Sequence, residues 1–211
     1  MTYYSVNALK NAEIQTLNDQ ITEYQQNLDQ KDTEISILTE KGENFTYHLL
    51  RAMSLLDVSR ETRSNGNLYF DYAARIWFPI KEYQLVVDNC SDAMEYYTIA
   101  SERFDLAEDY FTDTKQYTSV PVYHDIIDLY VSLTKSGYNL SILRYNASEK
   151  ISEIAEKLKI DAENETLLEE FNATLMASDV TYQQGSSAEQ GIIDEIEEEY
   201  GDFFNPNREI P

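Results

Sequence analysis

The stretch from Ile14 to Leu56, IQTLNDQITEYQQNLDQKDTEISILTEKGENFTYHLLRAMSLL, decides the fold. Ile14, Leu17, Ile21, Tyr24, Leu28, Lys31, Ile35 and Leu38 recur at alternating steps of three and four residues. Gly42, Phe45, Leu49, Ala52 and Leu56 continue the alternation. Such spacing keeps one stripe on one side of a helix, the condition for a coiled-coil seam. The residues between are mostly Asn, Asp, Gln, Glu and Thr, which suits a solvated outer face. The pattern predicts a first helix over about residues 5–63, roughly 85–90 Å long at 1.5 Å per residue. Gly42 is a soft point, and Ser64-Asn65-Gly66-Asn67 reads as the turn that ends the helix.

Working outward, a second helix is expected over about 67–117. Its seam is Tyr69, Ala73, Ile76, Ile80, Tyr83, Val87, Cys90, Met94, Tyr97, Ser101, Phe104 and Phe111. Flanking apolar residues widen that face, so it should touch two or more neighbours. Pro79 lies inside the pattern and should kink the helix, since it lacks an N–H and clashes with the carbonyl of Arg75. Pro121 suits the first turn of a third helix, 121–159, with apolar positions from Ile126 to Leu158. Arg144 falls on that seam, either paired with a carboxylate across the core or displaced by an error of one residue. Asp161 reads as the N-cap of a fourth helix over 162–182, whose seam is Leu168, Phe171, Leu175 and Tyr182. Gln183-Gln184-Gly185-Ser186-Ser187 reads as a loop, and Ser186 with Glu189 as the capping box of a short last helix over 187–200. Residues 201–211 read as a flexible tail.

Short connections place successive helices antiparallel. The expected fold is all-α: an elongated antiparallel helical bundle with coiled-coil heptads, in one domain over 1–200. The first helix should outrun the second by about ten residues, and those residues would need a partner helix.

Composition narrows the function classes. The 211 residues carry 39 Asp and Glu against 16 Lys and Arg, a net charge of −23. That balance argues against nucleic acid or an anionic membrane surface as partner, because both require basic patches. One cysteine excludes an internal disulfide framework. Six Gly and four Pro are too few for the turns of an all-β fold. No apolar run approaches the ~20 residues of a membrane helix, and the first residues show no signal-peptide pattern.

Six Asn-x-Ser/Thr triplets point outside the cell. They begin at Asn44, Asn89, Asn139, Asn146, Asn164 and Asn172, where about two would arise by chance from this composition. Such triplets are glycan acceptors in exported proteins. An exported chain would need a signal or membrane anchor upstream of Tyr3, with Met1 an added start.

Chemistry-bearing constellations are few. His48 and His124 lack a Glu three residues before them, so the Glu-x-x-His pattern of a metal site in a helical core is missing. Cys90 sits on a seam beside Asp88 and Asp92, which favours a buried thiol over a nucleophile. Asp161-x-Glu163-x-Glu165 lacks the Gly and terminal Glu of a calcium loop. Residues 161–211 hold 14 Asp and Glu against one Arg, best read as a solvated acidic face. The 17 tyrosines fall largely at core spacing. Neither a phosphate loop nor a Gly-x-Ser-x-Gly is present.

The architecture resembles the ectodomain of a surface protein. The expected function is non-enzymatic: an extracellular interaction or stalk domain of a membrane-tethered protein, glycosylated, with no cofactor and no metal. Its partner would be another protein or a second copy bound through the first helix, with the membrane reached only through a segment outside this sequence. Alternatives are a receptor's ligand-sensing helical ectodomain, with a cleft at the Pro79 kink, and an intracellular coiled-coil scaffold.

Overall fold

The computed structural model describes residues 3–201, with side chains from residue 10 onward, and it is all-α. Four α-helices occur among the described residues: α1 (Tyr3–Asp71), α2 (Tyr83–Thr114), α3 (Pro121–Leu158) and α4 (Glu165–Tyr200). A π-helical turn, Tyr72–Trp77, follows α1, and a 3-10 turn, Lys115–Tyr117, follows α2. The chain divides into two units, Met1–Asn44 and Phe45–Pro211, where the sequence pattern suggested one body over 1–200. Of the expected tail, residues 202–211 lie outside the described residues.

Four of the expected helix boundaries are corrected. Ser64-Asn65-Gly66-Asn67 is not a turn, because α1 runs straight through it. Gly66 serves a close helix approach instead: a Cβ there would stand 2.8 Å from the Tyr97 ring. Asn67 also acts sideways, accepting from the Tyr97 hydroxyl at 2.8 Å and donating to the Tyr182 hydroxyl at 2.7 Å. The real break is at Pro79. A kink was expected there, but the helix stops. The amide of Phe78 bonds five residues back to Ala73, and Lys81 takes φ 61° in the turn that leads to α2. Pro79 brings no amide to continue the helix, and the widened π turn comes just before it.

The third correction concerns Gln183–Ser187, which is helix and not loop, so the short fifth helix is part of α4. Gly185 again marks a close approach, since a Cβ would meet the Leu140 side chain at 2.6 Å. The expected capping box does not form: Ser186 lies inside α4, and Glu189 is buried and accepts from Arg63. At the other end of α4 the N-cap is Asn164, not Asp161. The Asn164 side chain accepts from the Leu167 amide at 3.1 Å, with Glu165 in the first turn.

Within Phe45–Pro211 the helices contact one another in ordered series. As residue numbers on α1 fall, their partners on α2 rise. Tyr69 stacks on Tyr96, Thr62 accepts from Arg103, and His48 lies 4.0 Å from Asp113. The same inverse order joins α2 and the 3-10 turn after it to α3 and its C-cap residue Lys159, through Gln84–Lys159, Glu108–Lys135 and Lys115–Asp128. It joins α3 to α4 through Lys150–Glu170 and Arg144–Asp179, and α1 to α4 through Asn67–Tyr182 and Arg63–Glu189.

Two apolar clusters fill the space between these helices. One gathers around Phe70, Val86, Tyr97, Ile151, Leu158 and Phe171, and the other around Leu56, Phe104, Phe111, Ile127, Leu133 and Ile196. On α2 the buried line is Tyr83, Val86, Cys90, Ala93, Tyr97, Ala100, Phe104, Ala107 and Phe111. The expected seam thus shifts by one residue in places: Val86 and Ala93 are buried, whereas Val87 and Met94 are half-buried. Ile76 and Ile80, assigned to the same seam, are exposed. The expected apolar line on α3 is buried at Ile126, Leu133, Leu140, Ile151, Ile154 and Leu158.

Unit Met1–Asn44 is simpler. Its described part is a continuous stretch of α1, and from Lys10 to Glu43 every residue except Glu34 is exposed. The uncovered stretch is thus longer than the ten residues expected.

Candidate functional site

The apolar face of residues 14–38 is the candidate site of the unit Met1–Asn44. Ile14, Leu17, Ile21, Tyr24, Leu28, Ile35 and Leu38 are each 52–67% exposed. They form one stripe, interrupted by Lys31, whose ammonium pairs with Glu34 at 2.6 Å. Scattered exposed apolar side chains are ordinary, but a contiguous stripe marks an interaction surface. Local side-chain contacts on this helix are Gln15 to Asp19 at 3.1 Å and Gln30 to Glu34 at 3.3 Å, besides the Lys31–Glu34 pair. The hydroxyls of Thr16, Thr22, Thr33 and Thr39 donate back to carbonyls four residues earlier, a habit that weakens and bends helices. Helices without tertiary packing are marginal in water.

Phe45–Pro211 carries a different kind of site. Two arginines are buried between helices. Arg63 donates to Glu189 at 2.7 Å and lies 5.4 Å from the Phe104 ring centroid. Arg144 donates to Ser178 and Asp179 at 3.0 Å each and is sandwiched between Phe70 and Tyr182, at 4.3 and 4.4 Å. The choice left open by the sequence is settled: Arg144 is a true core position with a carboxylate partner. Arg75 reaches the other oxygen of Asp179, and Asp71 chiefly, then Asp179, holds its guanidinium above the usual range. The Tyr97 hydroxyl, inside the same network, is pushed well up by burial. Each arginine keeps one buried nitrogen without a hydrogen-bond partner, as does one oxygen of Glu189.

An apolar cavity of about 340 Å³ opens between α1 and α3, lined by Phe45, Leu49, Met53, Tyr123, Ile126 and Tyr130 among others. At Pro79, where the cleft of a sensor was expected, the aromatic side chains pack on each other. Phe78 lies flat on Phe171 at 3.2 Å and edge-on to Tyr83 at 5.6 Å.

The triplet asparagines are spread along the chain. Asn139 and Asn146 are exposed, one heptad apart on α3, and Asn172 is exposed on α4. Asn44 and Asn89 are half-buried, and the Asn89 amide donates to the Leu85 carbonyl. Asn164 is engaged as the α4 cap, and its amide nitrogen donates to Asp161.

The remaining candidates are structural in their surroundings. Cys90 is fully buried, and burial pushes its thiol up to about 12. His48 sits among Tyr47, Tyr110 and Tyr117, with ring centroids 5.1–5.4 Å away. The Nε2 atom of His124 lies 2.9 Å from the Thr118 carbonyl. Among the described residues no group of three or more His, Cys, Asp or Glu is placed to hold a metal ion. None of their helices is long and apolar enough to cross a membrane.

Comparisons of the chain with protein-family models, with curated proteins and with solved structures find no match in any of the three.

Proposed function

We propose that this chain is a non-enzymatic interaction or stalk domain of an extracellular, membrane-tethered and glycosylated surface protein. In this reading the helices of Phe45–Pro211 form an antiparallel bundle with coiled-coil packing. The face from Ile14 to Leu38 receives a partner helix. The observation that carries the reading is that face: seven large apolar side chains at seam spacing, each more than half exposed. The inverse order of contacts between helices supports the bundle. The excess of Asn-x-Ser/Thr triplets, three of them with an exposed Asn, supports export.

The test of export is an intact-mass spectrum of the protein from its natural source. Added glycan mass on at least one of the six asparagines is the expected result. A bare chain would remove the extracellular part of the reading and move the preference to an intracellular scaffold.

A second reading, small-molecule sensing, draws on the cavity beside Phe45 and Tyr130 rather than on Pro79. A reproducible rise in melting temperature with a small apolar ligand would favour it.

A further inference from the structure

We propose that the partner of the α1 face is a second copy of this chain, whose own residues 14–38 run antiparallel and centred on Gln26. The proposal rests on the reading of that face as an interaction surface and adds its occupant and alignment.

The stripe is complementary to itself when reversed. With the centre at Gln26, Ile14 faces the partner's Leu38, Leu17 faces the partner's Ile35, and Tyr24 faces the partner's Leu28. The fourth layer sets Ile21 against the partner's Lys31, whose alkyl stem can lie on isoleucine while its ammonium reaches the rim. Every layer occurs twice, so the contact closes as a two-fold dimer with no leftover half. All seven apolar members are exposed in the single chain and available for it.

Charge selects this direction over the parallel one. In heptad terms Ile14, Ile21, Leu28 and Ile35 are a positions, and Leu17, Tyr24, Lys31 and Leu38 are d positions. Flanking g positions are Glu13, Gln20, Asn27, Glu34 and Lys41. Antiparallel helices pair g with g, which sets Glu13 against the partner's Lys41 at both ends, Gln20 against the partner's Glu34, and Asn27 against itself. Parallel helices pair g with e, and those pairs (Glu13 with Asn18, Gln20 with Gln25, Asn27 with Asp32, Glu34 with Thr39) contain no opposite charges. Parallel pairing would also stack Lys31 on the partner's Lys31 inside the seam. The antiparallel arrangement separates the two by ten residues, about 15 Å along the axis.

The test uses the full chain, in which Cys90 is buried and stays out of disulfide exchange. Two variants, Ile14→Cys and Leu38→Cys, are oxidised mildly, alone and mixed. The expected result is a covalent dimer only in the mixture, with each variant alone remaining unlinked. Efficient self-linking of either variant alone would show parallel chains and overturn the proposal. Light scattering should show a dimer whose dissociation constant rises at least about 100-fold in Leu17→Asp, which sets a carboxylate against the partner's Ile35 in two symmetry-related layers.

A monomer at every concentration overturns the self-pairing. If that monomer emerges from its natural source bound through the same face to a different chain, the interaction reading survives. A chain that is monomeric and unbound in both settings ends both.

Discussion

One spacing pattern, two fates: that is the contrast between the two halves of α1. The alternation that starts at Ile14 continues without a slip through Phe45, Leu49, Ala52, Leu56, Ser59, Arg63, Gly66 and Phe70. From Ala52 onward its members are buried. From Ile14 to Leu38 the apolar ones are more than half exposed. The earlier half is the more uniformly apolar of the two, yet it is the one left open. The later half includes a serine, an arginine and a glycine and is closed. Seam spacing therefore marks the apolar side of a helix and says nothing about whether the chain itself covers it.

The largest effect should come from setting the same change in both halves. Leu56→Asp buries a charge among Ala100, Phe104 and Ile127 and should cost about 4–5 kcal/mol, enough to lose cooperative melting of Phe45–Pro211. Leu17→Asp, at an exposed position, should leave that melting transition in place and weaken only association. Equal melting losses in calorimetry would erase the distinction between the halves.

Next in size is the buried pair of the closed half. Arg63→Met or Glu189→Met alone leaves an unpaired charge in the core and should cost about 3–5 kcal/mol. The double variant should recover most of that loss in denaturant melts. Additive losses would mean that the 2.7 Å contact carries no coupling.

The smallest effect sharpens the contrast through glycine. Gly66→Ala should destabilise by about 1–3 kcal/mol, because the new methyl meets the Tyr97 ring. Gly42→Ala, with nothing within 4 Å of its Cβ position, should stabilise by roughly 0.5–1 kcal/mol through helix propensity. Opposite signs in thermal melts are the expected outcome, and the same sign at both positions would contradict the packing at Gly66.

Much of this was legible in the sequence. The helical class, the break after Tyr117, Pro121 opening α3 and the apolar line from Ile126 to Leu158 all follow from spacing and punctuation. The misplaced boundaries share a physical origin. Gly66 and Gly185 sit among Asn, Gln and Ser, a composition that normally marks a turn, but here they mark places where a neighbour presses against the helix. The line on α4 runs Phe171, Leu175, Ser178, Tyr182, Gly185, Glu189, Ile192 and Ile196 with unbroken three-four steps. Hydrophobicity hides it, because Ser178 and Glu189 are core residues only by virtue of Arg144 and Arg63 on other helices.

A non-local pair of that kind cannot be read from either segment alone. Unbroken three-four steps across a polar residue are the one local signal that could have exposed it. The face of α1 that the sequence pattern marked as a seam is exposed from Ile14 to Leu38. Its extent was underestimated, because the turn was placed at Gly66 rather than at Pro79.

The two buried arginines have a mechanical consequence. Helices joined by aliphatic side chains alone can creep past one another, since one leucine offers much the same grip as the next. Arg63 and Arg144 are pegs in fixed holes, one set by Glu189 and the other by Ser178 and Asp179. Sliding α4 by one heptad, about 10 Å, would pull both from their sockets at once, at roughly 3–5 kcal/mol for each stranded charge. The closed part of the molecule therefore has one resting alignment. Axial slippage of α4 thus carries a penalty that aliphatic contacts alone would not impose.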